Sequence, residues 1–335
     1  MSEQKNLDAA VLLRSTFGHD ICGFLDDKDV GEVYINEDGQ LWVKHLKKGK
    51  FRPDIQVDEE QSYLIIRAVA GAVGKVINED SPALGCEIYS LGCRFQAQVP
   101  PIVTKPTFMI RKKSSVIFTM DQYLSQGFIT QEAIDYIRNV IKNRKNILVV
   151  GATDTGKTTF LNTLIQCVVE ETPHDRIIIL EDTPELQCTA EDFTALQTKV
   201  DRLPERCQTM NMLLFYCMRL SPNRIILGEV RDGAAAYTML KAWNTGHSGG
   251  FCTVHANSAL DGLPRMEVLI HEDETSRGDV RPLIGQAINV IIDIRKKEIP
   301  HAASKRYIGS IVEVSGFDMK TQEYITKTVY HGDVG

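Results

Sequence analysis

No stretch of this 335-residue chain approaches the roughly 18–20 consecutive apolar residues that span a bilayer. A leader is not expected either: the opening MSEQKNLDAAVLLRS puts charged residues where a signal peptide would place its apolar stretch. The protein is therefore expected to stay in the cytoplasm and to reach a membrane only through a partner. The eight cysteines, at positions 22, 86, 93, 167, 188, 207, 217 and 252, include no Cys-x-x-Cys pair. Reduced, buried thiols are expected, without disulfides or zinc. Basic residues are not in excess: 38 Lys and Arg stand against 44 Asp and Glu, a formal net charge of -6. That balance gives no overall nucleic-acid footprint, although a local basic patch stays open. Internal repeats and low-complexity tracts are lacking as well.

What is present is a soluble globular composition, 43% apolar and 24% charged, in a chain long enough for two ordinary domains. In the first hundred residues EVYINEDGQLWVKHL reads as a hairpin turning at Glu37-Asp38-Gly39. Residues 57–77 carry apolar side chains at helical spacing, CEIYSLGCRFQAQVPP gives two short strands, and TFMIRKK gives another. Residues 120–144 read as two helical pieces broken near Gly127, and the domain junction is placed there. Beyond Asn146 the short runs NILVV, RIIIL, RIILG and GFCTV alternate with mostly helical stretches. Strands alternating with helices imply an α/β domain with a mainly parallel sheet covered on both faces. The expected organisation is a smaller α+β domain over 1–115, linking or hinge helices over 116–145, and the α/β domain over 146–335.

Ligands on such sheets bind beyond the carboxyl ends of the strands, so the residues after each apolar run carry the information. After NILVV comes Gly151-Ala152-Thr153-Asp154-Thr155-Gly156-Lys157-Thr158, followed by Thr159. This is the spacing of a phosphate-binding P-loop: glycines allow the turns, backbone N–H groups and a helix amino end cradle phosphates, and Lys157 reaches the β- and γ-phosphates. Thr158 is expected to join a Mg²⁺ shell. Asp154 is the oddity. A unit charge about 6 Å from a phosphate charge is repelled by roughly 0.7 kcal/mol in water, and by about 3 kcal/mol at an effective dielectric near 20. A positive φ would suit Asp there, leave its carboxylate facing solvent, and weaken nucleotide binding without abolishing it.

Glu181, after RIIIL, suits the carboxylate that orients or deprotonates water, or else caps the following turn. Glu229, after RIILG, suits an acid holding Mg²⁺ through water, or else an ion pair with Arg231. His255 follows GFCTV, where a γ-phosphate sensor would sit. His247 stands eight positions earlier, a spacing unsuited to a helical metal pair.

With these segments the chain resembles the secretion or traffic ATPases, and within them the conjugal-transfer ATPases of the TrbB type that serve type IV secretion. ILEDTPEL is similar to that family's Asp box, RIILGEVRD to its Walker B segment and TGHSGGFCTVHANSA to its His box. The resemblance implies a RecA-like P-loop domain, ATP and Mg²⁺, a hexameric ring of identical subunits, and inner-membrane secretion or conjugation components as partners. It further implies nucleotide held between the N-terminal and RecA-like domains, which move against each other on hydrolysis. Glu181 matches the catalytic glutamate, Glu229 the Walker B acid, and His247 and His255 the His-box pair. Arg94 and Arg111 fall on strands whose arginines approach phosphate, and Arg231 serves as an ion pair or sensor. Ala152 and Asp154 depart from the usual loop residues. The zinc tetracysteine of type II relatives has no counterpart. A pilus assembly or retraction ATPase, a nucleic-acid motor and a nucleotide-gated scaffold are the alternative functions.

Overall fold

The structure is a computed structural model describing residues 2–112, 117–201, 203–273, 278–299 and 304–332. The chain divides into two compact units, Met1–Ser115 with Glu298–Ser304, and Val116–Lys297 with Lys305–Gly335.

The first unit opens with α1 (Ser2–Asp26), which is interrupted at Gly18, where φ is +79°. There follow β1 (Val30–Ile35), β2 (Leu41–His45), β3 (Gly49–Phe51), α2 (Glu59–Ala72), β4 (Ala83–Ile88), β5 (Cys93–Gln98) and β6 (Thr107–Lys112). Asp58 starts α2 by accepting the Gln61 amide, and Glu59 and Glu60 favour its positive end. The six strands form one antiparallel sheet in the order β3-β2-β1-β6-β5-β4. Period-two alternation turns Val33, Val43, Phe95, Phe108 and Ile110 inward, where they join a core with Leu13 and Phe17 of α1 and Ile65 and Val69 of α2. Polar residues, Arg94 and Arg111 among them, take the alternate positions.

The second unit begins with α3 (Met120–Ser125) and α4 (Gln131–Lys142). Gly127 at φ +66° breaks the helical run, and Thr119 and Thr130 cap the two pieces. The sequence suggests a hinge here. In the structure Tyr123, Phe128, Ile134 and Ile141 are buried in one cluster with Phe160 and Leu164, and the Tyr123 and Phe128 rings stack at 4.2 Å. Both helices are thus part of the second unit's core.

The remaining elements are β7 (Ile147–Gly151), α5 (Lys157–Glu171), β8 (Ile177–Glu181), β9 (Phe193–Gln197), α6 (Met210–Cys217), β10 (Arg224–Leu227), α7 (Gly233–Asn244), β11 (Phe251–His255), α8 (Gly262–His271), α9 (Arg281–Ala287), β12 (Val290–Lys297), β13 (Lys305–Asp318) and β14 (Glu323–His331). They build an eight-stranded sheet ordered β14-β13-β12-β7-β11-β10-β8-β9. From β12 to β9 all neighbours run parallel, and β13 and β14 close the other edge antiparallel. Fully buried strands explain why NILVV and RIIIL read as continuous apolar runs. One face packs on α3, α4 and α5, the other on α6 to α9.

The amino edge of this sheet is locked by a buried cation. Arg224 is 0% exposed; its Nε donates to Asp175 Oδ2 at 2.7 Å, and its guanidinium also donates to the carbonyls of Gly249 and Ile141. Arg144 pairs with the same carboxylate.

Candidate active site

Parallel register puts the ends of β7, β8, β10 and β11 on one rim. His255 lies opposite Gly151, and Leu227 lies opposite Leu180. At Gly151 an added Cβ would meet the Ile294 carbonyl oxygen at 2.5 Å and Thr155 Oγ1 at 2.7 Å, so no other residue fits there. Gly156 has φ +98° and leads into α5. Among the described residues no side chain caps α5, and its first turn holds no acid, which leaves its first N–H groups to an anion. Thr158 and Thr159 lie in that first turn.

Lys157 is buried, and its Nζ donates to two carbonyls of its own loop.

 The two acceptors are Gly151 O and Ala152 O, each at 2.9 Å, and Nζ also lies 3.1 Å from His255 Nδ1. An ammonium only donates, so Nδ1 accepts and the ring proton sits on Nε2, which lies 3.0 Å from Glu229 Oε1. Burial, and then the Lys157 charge, hold the imidazole below its ordinary pKa, so it is neutral near pH 7. Glu229 Oε2 accepts from Arg231 at 2.6 Å, and Arg231 reaches Asp182 at 3.9 Å. Lys157, His255, Glu229, Arg231 and Asp182 therefore form one continuous polar chain along the rim.

Glu181 is buried, and its Oε1 accepts the amides of Glu185 at 2.9 Å and Leu186 at 2.8 Å. The carboxylate caps the following turn and is held at the rim: a Cβ on Gly228 would lie 3.2 Å from Glu181 Cγ. Beside the loop opens a cleft of about 370 Å³, lined by Ala152, Thr153, His255, Ala256, Asn257, Asp261 and Arg265.

Burial lowers the Lys157 ammonium from 10.5 to about 8, against the opposing pull of Glu229. A charged lysine is what a polyphosphate needs. If this loop holds ATP as the resemblance implies, kcat/KM for ATP, which reports the free enzyme, is expected to be level from pH 7 to about 8 and then to fall roughly tenfold per pH unit. A pH–rate series checks this; a profile flat to pH 10 contradicts it. The sign for stability is opposite. The folded site holds this proton less tightly than the unfolded chain does, so the group costs stability below about 8, and the cost fades as pH rises toward 10.5.

Two expectations need correction. Asp154 has the positive φ, +64°, but its carboxylate does not simply face solvent. Oδ2 lies 3.3 Å from Lys296 Nζ, and Oδ1 lies 3.6 Å from Arg306 Nη2. The acid is neutralised by cations from β12 and β13, which no P-loop pattern contains. His247 does not join the rim. It precedes β11, whereas His255 ends it, and its Nδ1 lies 3.2 Å from the carbonyl of Pro222, at the amino edge of the sheet. Arg94 and Arg111 face each other across β5 and β6 in the first unit, where Arg94 pairs with Glu87 at 3.2 Å and Arg111 lies 4.0 Å from Glu32.

Comparison with known proteins gives this geometry a context. Residues 86–328, well over half of the chain, match the family model described as Type II/IV secretion system protein. The chain is 37% identical to a probable conjugal transfer protein TrbB of Sinorhizobium fredii, over 91% of this chain and 89% of that one. It is 28% identical to the type IV secretion system protein VirB11 of Bartonella quintana, over 83% and 88%. Its fold is similar to that of the Legionella pneumophila ATPase DotB, with a TM-score of 0.61 at 15% identity over 89% and 80%. Sequence match, shared fold and a P-loop at the sheet's carboxyl rim agree: the chain belongs to the Type II/IV secretion system protein family.

Proposed function

We propose that the chain is an ATPase of a secretion or conjugation system, binding Mg-ATP at the P-loop and hydrolysing it. The observation that carries this is the polar chain from Lys157 through His255 to Glu229, assembled at the mouth of the P-loop. Lys157, together with the amides of residues 151–159, binds the phosphates, and His255 senses the γ-phosphate by turning to it the imidazole N–H that now faces Glu229. Glu181, fixed by two amides, orients the attacking water and takes its proton.

Hard oxygen donors suit magnesium, and the Thr158 hydroxyl and the Glu229 carboxylate, the latter through water, are the residues that would hold it. When bound, Mg²⁺ neutralises phosphate charge. Arg231 keeps Glu229 oriented. Arg94 and Arg111 are proposed to reach phosphate and so to make the N-terminal domain respond to ATP and ADP differently. The proposed assembly is a hexameric ring bound peripherally to inner-membrane components of the machine on its cytoplasmic side. Among the described residues no helix is long and apolar enough to cross a membrane. The names of the TrbB and VirB11 relatives support the secretion or conjugation setting.

The test is phosphate release by the purified chain with Mg-ATP, repeated in excess EDTA. Turnover that disappears in EDTA and returns with added Mg²⁺ is expected. A chain that neither binds nor hydrolyses ATP under any of these conditions sinks the reading.

A further inference from the structure

We infer that Asp154 and Arg306, with Lys296, form a positioning group that sets the P-loop for its nucleotide from outside the loop. The inference rests on the nucleotide reading above.

Three contacts carry it. Lys296 Nζ and Arg306 Nη2 meet the two carboxylate oxygens of Asp154. Arg306 Nε donates to the Asp154 main-chain carbonyl at 3.3 Å. The third contact decides the role. A trans peptide is planar, with its C=O and N–H on opposite sides. Holding the Asp154 carbonyl on the Arg306 side therefore turns the Thr155 N–H the other way, and fixed N–H groups are what an anion-binding loop consists of. Arg306 also passes close to the next peptide, since a Cβ on Gly156 would lie 3.5 Å from its Cδ.

Asp at φ +64° is suited to this. It tolerates the left-handed backbone, as Gly would, and it adds a carboxylate that Gly lacks. The carboxylate of Asp154 meets two cations rather than standing alone beside the loop. The repulsion that an isolated aspartate would bring to a polyphosphate is thereby offset.

Neither residue touches the reacting atoms in this scheme. Each acts on nucleotide affinity through the loop, so the effect belongs in KM more than in kcat. The experiment uses the full chain and the variants Asp154→Asn, Arg306→Gln and their double. Asparagine keeps the left-handed backbone and the carbonyl but removes the charge. Glutamine removes the guanidinium.

Each single variant is expected to raise KM for ATP, and the Kd of a fluorescent ATP analogue, by about tenfold, the scale of one lost charge-assisted hydrogen bond. Turnover at saturation is expected to change less than about twofold. The double is expected to be no worse than about tenfold, because both substitutions break one interaction. Arg306→Lys, which restores charge but not the Nε–H, is expected to recover only part of the affinity. Thermal melting of each variant shows that it is folded; if Arg306→Gln is not, Arg306→Lys and Asp154→Asn carry the test.

A fall in KM in Asp154→Asn would mean that the carboxylate only repels phosphate, and would overturn the proposal. So would unchanged affinity in both single variants, or single effects that multiply in full. A wild-type chain without nucleotide binding instead overturns the function proposed above.

Discussion

Replacing Lys157 with alanine is expected to lower ATP turnover by at least about 10²–10³-fold, the usual cost of removing one preorganised group that meets developing charge. Its ammonium is held by two loop carbonyls and His255, so it is placed before nucleotide arrives. The substitution removes the positive charge and also the donor to His255, while Glu229 keeps its partner Arg231. The fold should survive, because burying a lysine whose pKa falls to about 8 is itself a cost that alanine removes. Phosphate release at saturating Mg-ATP measures the effect, with circular dichroism as the control for folding. Turnover within tenfold of wild type would take Lys157 out of the site.

The second large effect concerns stability and lies on the opposite rim. Asp175→Ala is expected to destabilise the second unit by about 3–5 kcal/mol, because it strands a buried, charged guanidinium. Arg224 is fully buried, and Asp175 is the carboxylate it pairs with. For a unit of this size the change corresponds to a drop in Tm of roughly 6–20 °C. Replacing both partners, Asp175→Ala with Arg224→Leu, should recover much of the loss, since no lone charge is then left in the core. Urea titration of the two variants decides the matter: equal destabilisation in single and double would show that packing, not charge, holds this edge.

Much of the architecture is legible in local pattern. Buried parallel strands leave continuous apolar runs, so β7, β8, β10 and β11 can be read directly, and the rule that function follows a strand's carboxyl end finds Lys157, Glu181, Glu229 and His255 together. Asp38-Gly39 marks the β1–β2 hairpin for the same local reason. The misses have physical causes. The edge strand β9 is a five-residue segment of half-exposed residues, without the apolar run that marks its neighbours. The hairpin of β13 and β14 does not alternate, since β13 has five successive buried residues and β14 is mostly exposed, and its turn, Met319-Lys320-Thr321-Gln322, holds no Gly, Asn or Pro to mark it. His247 is close to His255 in the sequence, yet the strand between them carries the two to opposite rims. The partners of Asp154 come from β12 and β13, more than a hundred residues later, and only tertiary pairing reveals them.

The lysine and histidine that meet at 3.1 Å are separated by 98 positions in the chain, and they come together only when β7 and β11 pair. A ribosome that has made the P-loop has therefore not yet made a binding site. On the function proposed above, affinity for nucleotide is expected to arrive late in synthesis, after β11 has emerged, and β12 and β13 must follow before Asp154 meets Lys296 and Arg306. Premature stops upstream of these strands should yield products blind to ATP.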